Sequence, residues 1–215
     1  MAGLMVERLL KSNKYARVEQ LKRFGLNTPD YDYFSRGSYE RWVVYVLSLD
    51  GVLPRSHRVS VRFFGNGDSL MGTQPHMPNV SWAEAKTAIN EHLADYSIML
   101  AIQAIQPDDT IVCGNLMMEA HGIDGYGVAF FEYRYGAGTV RDVQGDCTSL
   151  VCNLHEFPRD PNTGEFVHGL ARAKHAALKF PYWNHVIFEW SFYPYGLNIG
   201  WKHQPLIFWE CRRQR

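Results

Sequence analysis

The sequence predicts an α+β fold with antiparallel sheets in two lobes. Three observations predict it. In the first half, segments with helical spacing of apolar residues alternate with short segments rich in β-branched and aromatic residues. A run of adjacent strands follows, with helices on one side, which points to antiparallel sheets. The chain then closes on an aromatic hairpin. With 215 residues it fits one large domain or two small lobes with a cleft between them. The boundary is expected near Ser97–Gln106, dividing 1–96 from 97–215.

Residues 5–24 carry Val6, Leu9, Leu10, Tyr15, Val18, Leu21 and Phe24 at helical spacing, and Ser12-Asn13 interrupts the run as a cap for a second helix. Gly25 stops it, and an extended segment is expected over Tyr31–Phe34. Lys14 thus lies at a helix start, where free backbone N–H groups favour an anion. A helix is expected over Ser38–Leu49, with Trp42, Val43, Val46 and Leu49 on one side, then a strand over Arg58–Phe64. The glycine-rich stretch Gly65–Gly72 follows; it is either a hairpin turn or a loop offering N–H groups to phosphate, and Arg62 could point to the same place. It lacks the closing Gly-Lys-Ser/Thr of a P-loop. Ser81-Trp-Ala-Glu84 is a capping box that opens a helix to about Asp95. Strands are expected over Met99–Ile105, Thr110–Glu119, Val128–Tyr135 and Thr139–Val143, with another within Cys147–Phe157. An Ala-rich helix over Gly169–Phe180 precedes the final hairpin.

Composition removes several classes of function. Twenty-two basic and 22 acidic residues balance, and no long charged run gives a nucleic-acid footprint. No apolar run is long enough to span a bilayer and no signal-peptide pattern opens the chain, so a cytoplasmic protein is the expectation. Cys113, Cys147, Cys152 and Cys211 show no zinc-ligand spacing and read as buried or incidental thiols.

The chemistry concentrates at the C-terminus. In His185–Phe192, alternation puts Val186, Phe188, Trp190 and Phe192 on one face and Ile187, Glu189 and Ser191 on the other. In Pro205–Arg212, it puts Leu206, Phe208, Glu210 and Arg212 together. Charges in such apolar strands are costly unless paired or metal-bound. Glu189 and Glu210 are therefore guards against edge aggregation, partners of an arginine, or ligands of a hard cation such as Mg²⁺. The aromatic residues Phe188, Trp190, Trp201 and Trp209 are either core or an interface.

Taken in order, these segments resemble the ATP-grasp nucleotide-binding domain of the pyruvate phosphate dikinase and phosphoenolpyruvate synthase family. Lys14, a helix and Gly25-Leu-Asn-Thr-Pro29 are similar to that family's lysine, helix and Gly-Leu-x-x-Pro entry. Val59-Ser-Val-Arg62 is similar to its Val-Arg-Ser-Ser segment, and Ala101–Ile105 with Cys113–Leu116 to its hinge strand and the strand after it. Phe188-Glu-Trp-Ser191 and Glu210-Cys-Arg212 resemble the closing Ile-Glu-Trp and Gln-x-Arg. The resemblance implies ATP in a cleft between two lobes. It implies phosphates held by the catalytic cations Lys14, Arg62 and Arg212. The adenine edge would meet the backbone of Gln103, Ala104, Ile105 and Gln106, and Glu189 and Glu210 would hold Mg²⁺.

The sequence departs from that family in four places. Ser12-Asn13 replaces the glycines before the lysine, Phe63-Phe64 replaces the serines after the arginine, and Glu210 replaces a glutamine. The family's phosphohistidine and pyruvate-binding domains have no room in this chain; His175-Ala-Ala177 reads as helix surface. The expected activity is an Mg-ATP-dependent phosphotransferase or ligase acting on a separate small-molecule or protein acceptor. The alternatives are a silent nucleotide-binding module and a protein-interaction module.

Overall fold

The computed structural model describes residues 13–65, 76–102, 110–121, 126–136, 147–194 and 205–213. It is α+β, with two antiparallel sheets. The chain forms two compact units: Asn13–Tyr15 with Asp30–Gln106, and Ala16–Pro29 with Pro107–Arg215. Among the described residues, no helix is long and apolar enough to cross a membrane.

The first unit is a four-stranded sheet with two helices. Strands β1 (Asp32–Phe34), β2 (Arg58–Phe64), β3 (His76–Ser81) and β4 (Ser97–Ala101) lie in the order β1-β4-β2-β3. Alternation along β2 buries Val59, Val61 and Phe63 in a core with Phe34, Ile98 and Leu100. Helices α2 (Tyr39–Leu49) and α3 (Trp82–His92) supply Trp42, Trp82, Ala85 and Ile89 to it. The capping box forms as its sequence requires: Ser81 Oγ accepts from Glu84 N, and the Glu84 carboxylate accepts from Ser81 N at 2.8 Å. Val43 is exposed, not packed on the apolar side of α2. Strand β3 has no counterpart in the expectations, because Pro78 and Asn79 weaken its pattern. It forms at a sheet edge, where a residue without an N–H is tolerated, and the register shifts between Val59 and Val61 opposite them.

The second unit is a five-stranded sheet, β7-β6-β5-β8-β9. Its strands are β5 (Val112–His121), β6 (Tyr126–Tyr135), β7 (Thr148–Asn153), β8 (Val186–Phe192) and β9 (Leu206–Arg213). One face packs Leu116, Phe131, Phe188, Trp190 and Phe208 against Leu170, Ala173 and Ala177 of α4 (His168–Ala177). Leu21 of α1 (Lys14–Arg23) joins the same core. Gly114, Gly127 and Gly169 set close approaches. A Cβ at Gly114 would lie 2.1 Å from the Glu132 carbonyl oxygen across the β5–β6 ladder. A Cβ at Gly169 would lie 2.5 Å from Val112 Cγ1, so α4 can seat directly on the sheet. The expected strand Thr139–Val143 lies outside the described residues. The described partner of β6 besides β5 is β7.

Candidate functional site

The acidic group of candidate residues lies on the face of the five-stranded sheet opposite its packed core. Glu189 of β8 and Glu210 of β9 are direct Cα partners, so both side chains leave the same face. This corrects the expected alternation in β9. Phe208 pairs with Trp190 on the core face, while Glu210 pairs with Glu189, so Trp209 is an extra residue in β9. That bulge shifts the phase of the strand: Leu206, Phe208 and Cys211 join the core, and Glu210 and Arg212 point away from it. The Trp209 indole N–H donates to Ser191 Oγ at 2.8 Å, which fastens the bulge to β8.

Around this pair the geometry is polar and partly closed. Glu210 is 4% exposed, while the Arg212 side chain, opposite Ile187, is 45% exposed. Arg212 Nε lies 3.7 Å from Glu189 Oε1. A guanidinium thus stands diagonally across from one carboxylate, while a second carboxylate faces it directly. The row continues across the sheet. Asn115 of β5 pairs with Glu189, Glu132 of β6 with Asn115, and Ser149 of β7 with Glu132. The Asn115 amide donates to Glu132 Oε2 at 3.3 Å. Sequence reasoning missed Asn115 and Glu132. Alternation within β5 and β6 could have put them on the outward face, but only the register aligns them with Glu189.

Among the described residues no three His, Cys, Asp or Glu side chains gather around one point. A caged metal site built from protein ligands alone is not what these residues form. Two opposed carboxylates suit Mg²⁺, which takes one or two carboxylates and completes its shell with water and substrate phosphates. On donor chemistry, Glu189 and Glu210 fit that ion.

Two of the three cationic candidates, Lys14 and Arg62, are in the other unit. Arg62 of β2 pairs with Met99 of β4, and Met99 pairs with Tyr33 of β1, so Arg62 and Tyr33 share a face of the four-stranded sheet. Phe64, two residues on from Arg62, is on that face as well, and its ring stacks with Tyr33 at 6.0 Å. Tyr15 stacks on Tyr33 at 4.7 Å between ring centroids. Lys14, the first residue of α1, is thereby anchored through its neighbour to the face that carries Arg62. The structure puts Arg62 on the sheet face on which Tyr15, the neighbour of Lys14, is stacked, and Glu189, Glu210 and Arg212 on one face of the other sheet. Gln103, Ala104, Ile105 and Gln106 lie outside the described residues, as do Gly67, Asp68, Ser69 and Gly72 of the glycine-rich loop.

The aromatic residues of the C-terminal hairpin are not an exposed patch: Phe188, Trp190 and Trp209 are buried, and Trp201 lies outside the described residues. His175 is exposed on α4, as expected for helix surface.

Comparison by sequence finds no match, either to a protein-family model or to a curated protein. Comparison of folds does. N5-carboxyaminoimidazole synthetase from Staphylococcus aureus matches 96% of this chain with a TM-score of 0.51 and 9% identity. A RiPP-associated ATP-grasp ligase from Chryseobacterium gregarium, in complex with ADP and a leader and core peptide, matches 96% with a TM-score of 0.50 and 9% identity. The chain spans about half the length of these structures, 45% and 53%. Its two antiparallel sheets therefore have the ATP-grasp fold.

Proposed function

We propose that this chain binds Mg-ATP and serves an ATP-dependent ligase or phosphotransferase acting on a separate small-molecule or protein acceptor. The observation that carries the reading is the register pairing of Glu189 with Glu210, beside Arg212. Two carboxylates held face to face repel, and a divalent cation held by them would relieve that repulsion. In this reading the 1–96 segment supplies Lys14 and Arg62 to the phosphates. The 97–215 segment supplies Gln103, Ala104, Ile105 and Gln106 to the adenine edge, and Arg212 to a phosphate oxygen. The three cations orient the triphosphate and neutralise charge as the phosphoryl group moves, so positioning and electrostatics supply most of the rate. Mg²⁺, when bound, supplies the remaining neutralisation. Within ATP-grasp proteins, the order of the Lys14, Arg62, Glu189 and Glu210-Cys-Arg212 motifs supports a kinship with the pyruvate phosphate dikinase family.

The test is thermal unfolding of the full chain with and without Mg-ATP. A ligand that binds only the folded state at 100 times its Kd stabilises by about 2.7 kcal/mol. Stabilisation that requires both ATP and Mg²⁺ is the expected result. No gain from saturating Mg-ATP in a folded sample refutes the reading.

A second reading is a silent nucleotide-binding module. The Glu189–Arg212 contact favours it, because an arginine there satisfies part of the carboxylate charge that a cation would otherwise meet. ATP binding without ADP formation across a panel of acceptors would separate the two.

A further inference from the structure

Beyond the nucleotide reading, the core of the second unit holds a lysine packed against a thiol. Lys174 of α4 and Cys152 of β7 are 6% and 8% exposed, 22 residues apart in sequence, with Nζ 3.9 Å from Sγ. Lys174 Nζ also donates to the Asn153 carbonyl at 3.2 Å and to the Glu156 carbonyl. These bonds hold the amine beside the sulfur. All four cysteines are free thiols. Burial lowers the proton affinity of the Lys174 amine, which raises the fraction able to act as a nucleophile. Burial raises that of the Cys152 thiol, and the neighbouring ammonium opposes the rise. A lysine is rarely buried unless something requires it. Its hydrogen-bond partners here are two neutral carbonyls and a thiol, and the Glu156 carboxylate attracts the ammonium only through space.

We propose that Cys152 and Lys174 are the site of an oxidative cross-link, an S–N bond formed with a peroxide and reversed by a thiol. In the first step Cys152 sulfur attacks hydrogen peroxide. An S–O bond forms, the O–O bond breaks, and the thiol proton leaves with the departing hydroxide as water. Sulfur is oxidised by two electrons and the peroxide is reduced. In the second step the neutral Lys174 amine attacks the sulfenic sulfur. The S–N bond forms, the S–O bond breaks, and the hydroxyl leaves with one nitrogen-bound proton as a second water. No electrons change hands in that step. An added thiol attacks the sulfur, releases the amine and leaves a mixed disulfide that a second thiol reduces. The link ties the edge strand of the five-stranded sheet to the helix packed on it.

The test is peptide mapping of the folded, full-length chain after a limited dose of hydrogen peroxide, digested without reductant. The expected product joins a peptide containing Cys152 to one containing Lys174 at about 2 Da below their sum, two hydrogens having been lost. It disappears on thiol treatment and is absent from Lys174→Arg and Cys152→Ser. The cross-linked protein melts higher than the reduced protein and returns on reduction. Capture of Cys152 by dimedone with Lys174 unmodified overturns the proposal. So does Cys152 advanced to the sulfinic acid with no linked peptide, or Cys152 left unreacted in folded protein. Should Lys174→Arg fail to fold, Cys152→Ser, which removes only the sulfur, carries the comparison.

Discussion

Replacing Glu210 by glutamine keeps the shape of the side chain and removes one of two facing charges. Directly opposed residues have Cβ atoms about 5 Å apart. Two unit charges at that separation repel by about 0.8 kcal/mol in water and about 3 kcal/mol at an effective dielectric near 20. Glu210 is buried, which favours the upper end, and Arg212 at 3.7 Å from Glu189 offsets part of it. Glu210→Gln should therefore raise the stability of the ligand-free protein, by about 1 kcal/mol. It should also lose most of the gain given by Mg-ATP, since one of the two carboxylate ligands is gone; a tenfold weaker Kd removes about 1.4 kcal/mol of that gain. Urea unfolding with and without Mg-ATP reads both quantities in one experiment. A variant that is less stable when ligand-free, and that keeps the full Mg-ATP gain, would refute the reasoning. The facing carboxylates would then not be what holds the metal.

Gly114→Ala should cost at least ~3 kcal/mol or prevent folding, since its Cβ would lie 2.1 Å from the Glu132 carbonyl oxygen and 2.9 Å from Tyr133 Cα, both backbone; soluble yield and urea midpoint report it. Ser81→Ala removes the N-cap of α3 and should lower stability by about 1 kcal/mol, read by urea unfolding. The Asp160 carboxylate accepts from Asn162 N and Thr163 N and from the Tyr133 and Tyr135 hydroxyls, and these bonds hold it below the ordinary carboxylate range. Its folded pKa lies below its unfolded value, so its contribution is complete above the unfolded value and fades as pH falls through the folded one. Asp160→Asn should therefore flatten the loss of stability measured by urea unfolding from about pH 5 down to about pH 3.

Much of the fold was legible because local signals agreed with the packing. Arg58–Phe64 and Val186–Phe192 are strands with the expected faces, and the Ser81 capping box starts α3 where the sequence puts it. Strand β3 was hidden because proline suppresses a strand signal that only an edge position permits. The site was legible as residue types and not as geometry. Glu189 and Glu210 stand out as charges in apolar strands, but simple alternation puts Glu210 beside Phe208. The phase shift at Trp209 depends on which residue β8 sets opposite it, and a single strand carries no record of that. Asn115 and Glu132 escaped for the same reason. Their alignment with Glu189 is a property of three strands at once.

The extra tryptophan also changes what small insertions and deletions do to the last strand. Losing the Trp209 codon would leave a regularly alternating ladder in which Glu210 still meets Glu189 and Arg212 still meets Ile187, at the cost of the indole's bond to Ser191 and its ring contact with Tyr193. Losing the Cys211 codon would carry Arg212 into the apolar interior. Drift in chain length is thus tolerated at one position and penalised two residues later. In related chains, length variation in this strand should collect at the tryptophan.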